Sequence, residues 1–409
     1  MSRKVIIIGA GAAGLIAAGK AAERGREVLL VEKNDRVGKK LLISGKGRCN
    51  ITNNTDIEGL IQNIPGNGNF LYSSFYTFSN LDLIELLEKE GLETKVERGG
   101  RVFPVSDQAR DVVQVLQRFA EKRGAALRLQ TPVERIEAEN GKVTGVRLKN
   151  GSLLEADSVI LATGGASYPG TGSTGDGYRM AQQLGHTVTP LQPSLVPLLT
   201  AEKWVPELQG LSLRNISVTF TDMKGRKLYN DFGEMLFTHF GVSGPVILSG
   251  SRHILRYRYR DVKLIIDLKP ALDEETLDAR LQRDFEKFSR KQYKNSLDEL
   301  LPQKLIPVII RLSQIPEDKP VNQITKAERR SLIKLLKEFT LEIAGSRPLS
   351  EAIVTAGGIV TDEINPSTME SKLVRGLYFA GEVIDVDAYT GGFNLTIAFS
   401  TGYTAGMNC

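Results

Sequence analysis

Cysteine is scarce in this chain. Only Cys49 and Cys409 occur among 409 residues, too few for a disulfide framework, so a reducing compartment is the default. A strong charge of either sign is missing as well. Lys and Arg number 53 against 48 Asp and Glu, a formal +5 with a pI near 9.0. That balance suits an anionic cofactor or a nucleic acid and singles out neither. No uninterrupted apolar stretch reaches the length of a bilayer span. The apolar run after Met1-Ser2-Arg3-Lys4 has the flanks of a signal peptide, but Gly-Ala-Gly interrupts it and Glu23, Arg24 and Arg26 follow. It therefore reads as a first strand and helix. A cytoplasmic protein that does not bind membranes is expected, with no metal site. What remains is ordinary: 41% hydrophobic and 25% charged residues describe a soluble globular protein, and the length suits two or three domains.

Glycine, by contrast, is concentrated in a telling place. The run Val5-Ile6-Ile7-Ile8 ends in Gly9-Ala10-Gly11-Ala12-Ala13-Gly14, and a helical pattern follows from Leu15 to Ala22. In a nucleotide site Gly9 allows the tight turn, Gly11 lets the backbone approach a pyrophosphate, and Gly14 lets the helix lie close to the sheet. The helix start offers unpaired N–H groups to phosphates. A second strand, Val28 to Val31, ends at Glu32 and Lys33, at the roughly 20-residue spacing where an acid holds ribose hydroxyls. The stretch Val37 to Asn54 then mixes cations, small hydroxyls and amides. It reads as a long irregular loop of the functional kind, in which backbone N–H groups at the glycines, with Lys40 and Arg48, hold the pyrophosphate and position a ring system. Leu41, Ser44, Gly45, Cys49 and Asn50 are assigned to the same cofactor. Cys49 has no partner cysteine or nearby histidine and reads as a small packed residue rather than a reactive thiol.

Beyond this, a Phe/Tyr-rich segment (Phe70 to Phe78) precedes an amphipathic helix, Leu81 to Glu90. Gly99 to Pro104 reads as a turn and short strand. A helix from Asp107 to Arg123 has Val112, Val113, Leu116 and Phe119 at core spacing. Strand runs at Leu127 to Leu129, Val133 to Glu139 and Val143 to Leu148, with hairpin signals at Asn140-Gly141 and Asn150-Gly151, read as an antiparallel meander across the first parallel unit. Val133 is placed at the cofactor. Ser158 to Leu161, followed by Ala162, Thr163 and Gly164, is a buried strand that reaches the nucleotide. The second glycine cluster, Gly170 to Gly175, lacks an abutting strand and a downstream acid. It reads as a loop capping a helix from Asp176 to about Leu184.

From Pro190 the character changes. Prolines punctuate the chain, and short strand candidates follow at Ile216 to Phe220, Lys227 to Tyr229, Met235 to Thr238 and Leu264 to Leu268. Helical, charged patterns then dominate from Asp273 to Lys337. His239 is the first choice among three histidines for proton transfer, with a structural histidine as the alternative. Arg252 to Arg260 interleaves basic and aromatic residues, which suits a nucleic-acid surface or a strand with one solvated face. The basic footprint is otherwise thin, so a nucleic-acid partner is not expected.

The C-terminal segment separates the cofactors. Thr355 to Val360, including Gly358, and Gly376 to Asp385 form two more glycine-and-strand units, and Thr390-Gly391-Gly392-Phe393-Asn394-Leu395 opens a final helix. A nicotinamide enzyme needs one dinucleotide-binding domain and no distant return. FAD is long, and a returning segment closes over its far end: Gly381, Glu382 and Asp385 at the ribityl and phosphate hydroxyls, and the last helix start at the flavin N1/O2 edge.

With these motifs in place, the chain resembles the BaiN/YhiN-type bacterial flavoproteins, a group of NAD(P)/FAD-dependent oxidoreductases whose relatives include aminoacetone oxidase and a bile-acid enone reductase. The resemblance spans nearly the whole chain and is most specific in Lys-Leu-Leu-Ile-Ser-Gly-Lys-Gly-Arg-Cys-Asn, residues 40–50, where Lys46 replaces the more usual glycine. It implies an α/β fold: a Rossmann-like, glutathione-reductase-like FAD-binding domain (1–190 and 352–409), interrupted by a β-barrel-like part (191–270 and 338–351) and a small helical part (271–337). A few terminal residues beyond Cys409 are also expected. The expected activity is hydride transfer between flavin N5 and a small-molecule substrate, by amine oxidation or enone reduction, with the insert roofing the ring. His239 or Tyr168 would donate the proton, and NAD(P)H would dock only transiently. The alternatives are a flavoprotein acting on or binding tRNA and a plain NAD dehydrogenase. A monomer or homodimer is expected.

Overall fold

The computed structural model describes residues 3–409; Met1 and Ser2, part of the basic start read above, lie outside the described residues. The chain divides into two units, Met1–Ser194 with Leu349–Cys409, and Leu195–Pro348.

The first unit is built on five parallel strands in the order Leu377–Phe379, Ser158–Leu161, Lys4–Ile8, Glu27–Val31, Ala126–Arg128. Parallel strands buried on both faces need continuous apolar runs, and Val5 to Ile8 supply one. Ile7 pairs with Leu30 on one side and Ile160 on the other, and all three are buried. The chain changes direction around the first strand, so the crevice at the strand ends beside Gly9 is where a nucleotide binds in such sheets.

Helix Ala12–Glu23 is buried along almost its whole length. It packs against the final helix, Phe393–Asn408, so closely that a Cβ on Gly402 would lie 2.4 Å from the Ala13 carbonyl oxygen. Small residues on both helices permit this approach, and it ties the two ends of the chain together. Helix Ala109–Lys122 buries Val112, Val113, Leu116 and Phe119 as its spacing requires; each large apolar side chain so buried stabilises by about 1.5–3 kcal/mol.

Two local expectations change in this unit. Ala126–Arg128 pairs in parallel with Glu27–Val31 and is an edge strand of the main sheet. The meander consists of Val133–Glu139, Lys142–Leu148 and Leu153–Glu155 instead. A three-residue strand carries no period, and its place follows from the crossover helix before it. The stretch after Val37 is not an irregular loop but helix Lys39–Ile43 and a tight turn. Within the aromatic segment, Tyr72–Thr77 is helical.

The second unit is a closed six-stranded antiparallel barrel: Leu198–Thr200, Gly241–Ser243, Lys227–Phe237, Ser212–Asp222, Val262–Asp267 and Phe339–Ser346 in spatial order. Alternate residues Val218, Phe220, Leu264, Ile266, Phe339 and Leu341 are buried, which is the period of two expected of a barrel wall. Lys227–Phe237 is one strand of 11 residues rather than two pieces; the polar residues between Tyr229 and Met235 hid its continuity. Helices Glu274–Lys287, Ile306–Ser313 and Lys326–Lys337 form an excursion between two neighbouring barrel strands. The Arg252 to Arg260 alternation is not a strand. Pro245 opens a helix to His253, a single turn Leu255–Tyr257 follows, and Arg258 and Tyr259 have left-handed backbone. Ile254 and Tyr259 turn inward while Arg256, Arg258 and Arg260 stay exposed.

Candidate functional site

The turn after the first strand is sterically determined. A Cβ on Gly14 would fall 1.8 Å from the Gly9 carbonyl oxygen, whereas one on Gly11 would meet nothing within 4 Å. Space is therefore left only at Gly11. It caps helix Ala12–Glu23 without any side-chain hydrogen bond, so the first-turn N–H groups point to that space unpaired. Glu32, 8% exposed, braces the turn: its Oε2 accepts the Ala10 N–H at 2.8 Å, and its Oε1 accepts the Asn34 N–H at 2.9 Å and Nδ2 at 2.7 Å. A carboxylate has about four acceptor positions, so one on Oε2 stays open. Ala162 follows its strand and donates its N–H to Ile8. Thr163 Oγ1 is buried with no partner, and so is Asn50 Oδ1. Gly164 has a left-handed backbone, and Val133 is buried.

The other end of the chain closes on the same region. Gly392, at φ 100°, caps the last helix with no side-chain bond, and a Cβ there would lie 2.3 Å from the Thr52 carbonyl oxygen. Asn53 Nδ2 donates to the Gly391 carbonyl at 3.0 Å, and the Thr52 and Thr396 hydroxyls meet at 2.6 Å. Asn394 holds the preceding loop through Ala388, accepting its N–H at 2.9 Å and donating to its carbonyl at 2.7 Å. Phe393 is buried and Leu395 partly so. Gly381 donates its N–H to Thr401 Oγ1 at 2.9 Å and faces the Ala13 methyl.

Several cations and acids take partners that local sequence did not reveal. Lys40 Nζ donates to Glu382 Oε2 and to Ser167 Oγ, each at 2.7 Å, while Glu382 Oε1 accepts the Thr355 N–H at 2.8 Å. Burial pushes the Glu382 carboxyl up, but the charge and hydrogen bond of Lys40, with the Thr355 and Ser167 donors, more than reverse this and hold it below the usual carboxylate range. Glu382 is thus a clamp between chain segments. Asp385 Oδ2 accepts from Thr189 Oγ1, which in turn accepts the Gly358 N–H. Lys33 turns to Thr174 and Asp176. Arg48 does not join Lys40: its guanidinium contacts Glu97 and Asp107 and stacks 4.2 Å from the Phe103 ring. Around it, Leu41 is buried, Ser44 Oγ donates to the Leu41 carbonyl, and Gly45 and Cys49 have left-handed backbone. Burial pushes the Cys49 thiol up to about 11, so it stays protonated at neutral pH.

Tyr168, next to Ser167, is exposed and held at φ 53°. His239 is exposed on the turn between two barrel strands, with its ring edge-on to Phe240. The two residues belong to different units. One array has the outline of a hydrolytic triad: His186 Nδ1 lies 3.0 Å from Glu363, and Nε2 lies 2.8 Å from Ser371 Oγ. Ser371 is buried and its Oγ already accepts the Leu373 and Val374 N–H groups, so the array stabilises a turn.

Comparison with known proteins gives the family and the fold. A family model described as the HI0933-like protein Rossmann domain matches residues 3–408. The 3-dehydro-bile acid delta(4,6)-reductase of Clostridium scindens is 34% identical over 409 residues, 98% of each chain. A ribosomal RNA dihydrouridine synthase of Haemophilus influenzae is also 34% identical, over 98% of this chain and 97% of its own. Among solved structures, 3-ketosteroid delta1-dehydrogenase from Sterolibacterium denitrificans superposes with a TM-score of 0.55 at 15% identity, over 99% of each chain, a likeness of fold. The chain belongs to the HI0933-like Rossmann family of flavin-dependent oxidoreductases.

Proposed function

We propose that this chain is an FAD-dependent reductase acting on a carbon–carbon double bond conjugated to a carbonyl in a small molecule. The observation that carries the FAD reading is the meeting of both chain ends, the Gly11 opening and the uncapped last helix, through Ala13, Gly381 and Gly402. The residues fit such a ligand. The open space at Gly11 and the unpaired N–H groups after it suit a pyrophosphate, the free position on Glu32 suits a ribose hydroxyl, and Asn50 Oδ1 is buried without a partner. The N–H groups at Phe393 to Leu395 form the positive end of a 16-residue helix and stabilise negative charge placed against them.

Bound FAD supplies a two-electron hydride carrier, and NAD(P)H is the proposed reductant. The chain's own contribution is to bind and orient it. Glu32 and the glycine turn fix one end, the last helix fixes the other, and the Lys40–Glu382 clamp sets the segment between. Tyr168 is the proposed proton donor, with His239 the second candidate. Reduction, rather than amine oxidation, is favoured because the bile-acid relative is named for it. The test is anaerobic mixing with NADH or NADPH, then with conjugated enones. Bleaching of the flavin by nicotinamide and its recovery on enone addition are expected. Fast recovery in air alone, with none on enone, would identify an oxidase instead.

A second reading is uridine in ribosomal RNA. Dihydrouridine is uridine with its carbonyl-conjugated 5,6 double bond saturated, so the chemistry is unchanged and only the carrier differs. Besides the Haemophilus relative, the charge distribution favours it. Of the 53 Lys and Arg, 26 lie in Leu195–Pro348, against 20 of the 48 Asp and Glu, so the second unit alone carries the positive excess. Incubation with NADPH and unmodified ribosomal RNA, followed by mass analysis for a gain of two hydrogens on one uridine, decides it.

A further inference from the structure

The positive excess of the second unit is organised. Helix Lys326–Lys337 carries five cations and one acid. The acid, Glu328, is committed: it accepts from the Thr325 N–H and hydroxyl and is paired with Lys319. Two of the cations are committed as well, Arg329 to Asp278 and Lys337 to Asp267 and the Leu272 carbonyl. Those contacts fix helix Lys326–Lys337 antiparallel to helix Glu274–Lys287. The other three, Lys326, Arg330 and Lys334, are exposed and stand outside every ion pair among the described residues. Their i, i+4, i+8 spacing puts them on one face, about 6 Å apart along the axis. Beyond the end of the neighbouring helix, Arg290 is exposed and Lys291 lies over the Phe288 ring at 4.2 Å.

A row of like charges raises the free energy of the helix unless something anionic covers it. A small anion would need a site with buried donors, and all three of these side chains are exposed. A chain of regularly spaced phosphates fits it.

We propose that the face Lys326–Arg330–Lys334, extended by Arg290 and Lys291, docks the sugar–phosphate backbone of an RNA substrate; the proposal rests on the ribosomal-RNA reading above. Contacts of this kind position without reading sequence.

The test uses the flavin-loaded full chain and a fluorescent single-stranded ribosomal RNA transcript, with affinity measured across a potassium chloride series. The variant K326E/R330E/K334E is expected to bind on the order of tenfold or more weakly near physiological salt. Its log–log salt slope should be shallower by about two, since each phosphate contact on a single strand contributes about 0.7. Its flavin spectrum, melting curve and nicotinamide-driven bleaching should match the wild type. The conservative K326R/R330K/K334R variant should bind as the wild type does. If the triple reversal lowers the melting temperature, R330E alone serves and should give about a third of the slope change. Wild-type binding with an unchanged affinity and slope in the reversal variant overturns the surface and leaves the RNA reading standing. No wild-type binding, together with no uridine reduction, overturns both.

Discussion

His186 shows how a single buried group makes stability depend on pH. Burial lowers its pKa from the ordinary histidine value, against the opposing hydrogen bond to the Glu363 carboxylate, which accepts, and its charge. The folded chain therefore prefers the neutral ring, and the unfolded chain binds the proton more readily. The contribution of this group to stability is fully present above the ordinary histidine pKa of about 6.5 and is lost as pH falls below it. Urea midpoints followed by circular dichroism from about pH 7.5 down to 5.5 should decrease, and less steeply in His186→Asn. An equal slope in both proteins would refute the assignment. His253, lowered by burial and by Arg252 and Arg256, keeps its share of the slope in that variant. Tyr168 allows a catalytic test at the same scale. Its φ of 53° is uncommon for a bulky residue, and its side chain is exposed rather than packed. Tyr168→Phe keeps the ring and removes the proton, so enone turnover should drop by roughly 10²–10⁴ while flavin bleaching by nicotinamide continues at the wild-type rate. Equal loss of both steps would mean a structural role. At this scale the sequence named Glu32, Lys40 and Glu382 but not what they touch. Ser167, Thr355 and Asn34 meet them only through the tertiary fold, and nothing local to those serine, threonine and asparagine positions marks them out.

At the scale of elements, the glycine turn separates folding from binding. Gly14→Ala puts a methyl into the Gly9 carbonyl and should cost at least the 1–3 kcal/mol of an overpacked core, visible as a lower melting temperature of the flavin-free protein. Gly11→Ala meets nothing and sits in extended backbone, so the flavin-free protein should melt as before. The added methyl occupies the space assigned to the pyrophosphate, and flavin affinity should fall. Flavin content after desalting, read by absorbance beside the melt, checks both; normal flavin retention in Gly11→Ala would remove the pyrophosphate from that place. Elements with a strong period or a strong steric signature were the legible ones. Lys4–Ile8, the helix after it and Ala109–Lys122 emerge from pattern alone. Ala126–Arg128 pairs with the main sheet, a place its three residues cannot signal because they define no period. Arg252 to Arg260 mimicked a strand because two apolar anchors, Ile254 and Tyr259, happen to be spaced by turns that a one-dimensional alternation cannot represent.

For the whole molecule the question is whether the first unit holds together when the chain leaves it at Ser194 and returns at Leu349. The sequence signalled an interruption through the proline-rich change near Pro190 and the late return of glycine-and-strand units, but the closing of the gap is a three-dimensional matter. Gln192–Ser194 pairs antiparallel with Val354–Ala356, Ser194 opposite Val354, and Ser194 Oγ donates to Asp387 at 2.7 Å. The exit and re-entry points are therefore neighbours, and a short glycine–serine linker can replace Leu195–Pro348 without straining either end. Loop-closure entropy grows only about 0.6 kcal/mol per doubling of length, so shortening a long connection does not destabilise what it joins. The five-stranded sheet, both ends of the chain and every residue assigned to FAD lie outside the excised segment. The shortened protein should fold, take up FAD and turn yellow, while losing His239 and the cationic helix Lys326–Lys337 and, with that helix, RNA affinity. A folded but colourless product would show that the barrel unit supplies contacts the flavin cannot do without, and the assignment of the cofactor to the first unit alone would fall.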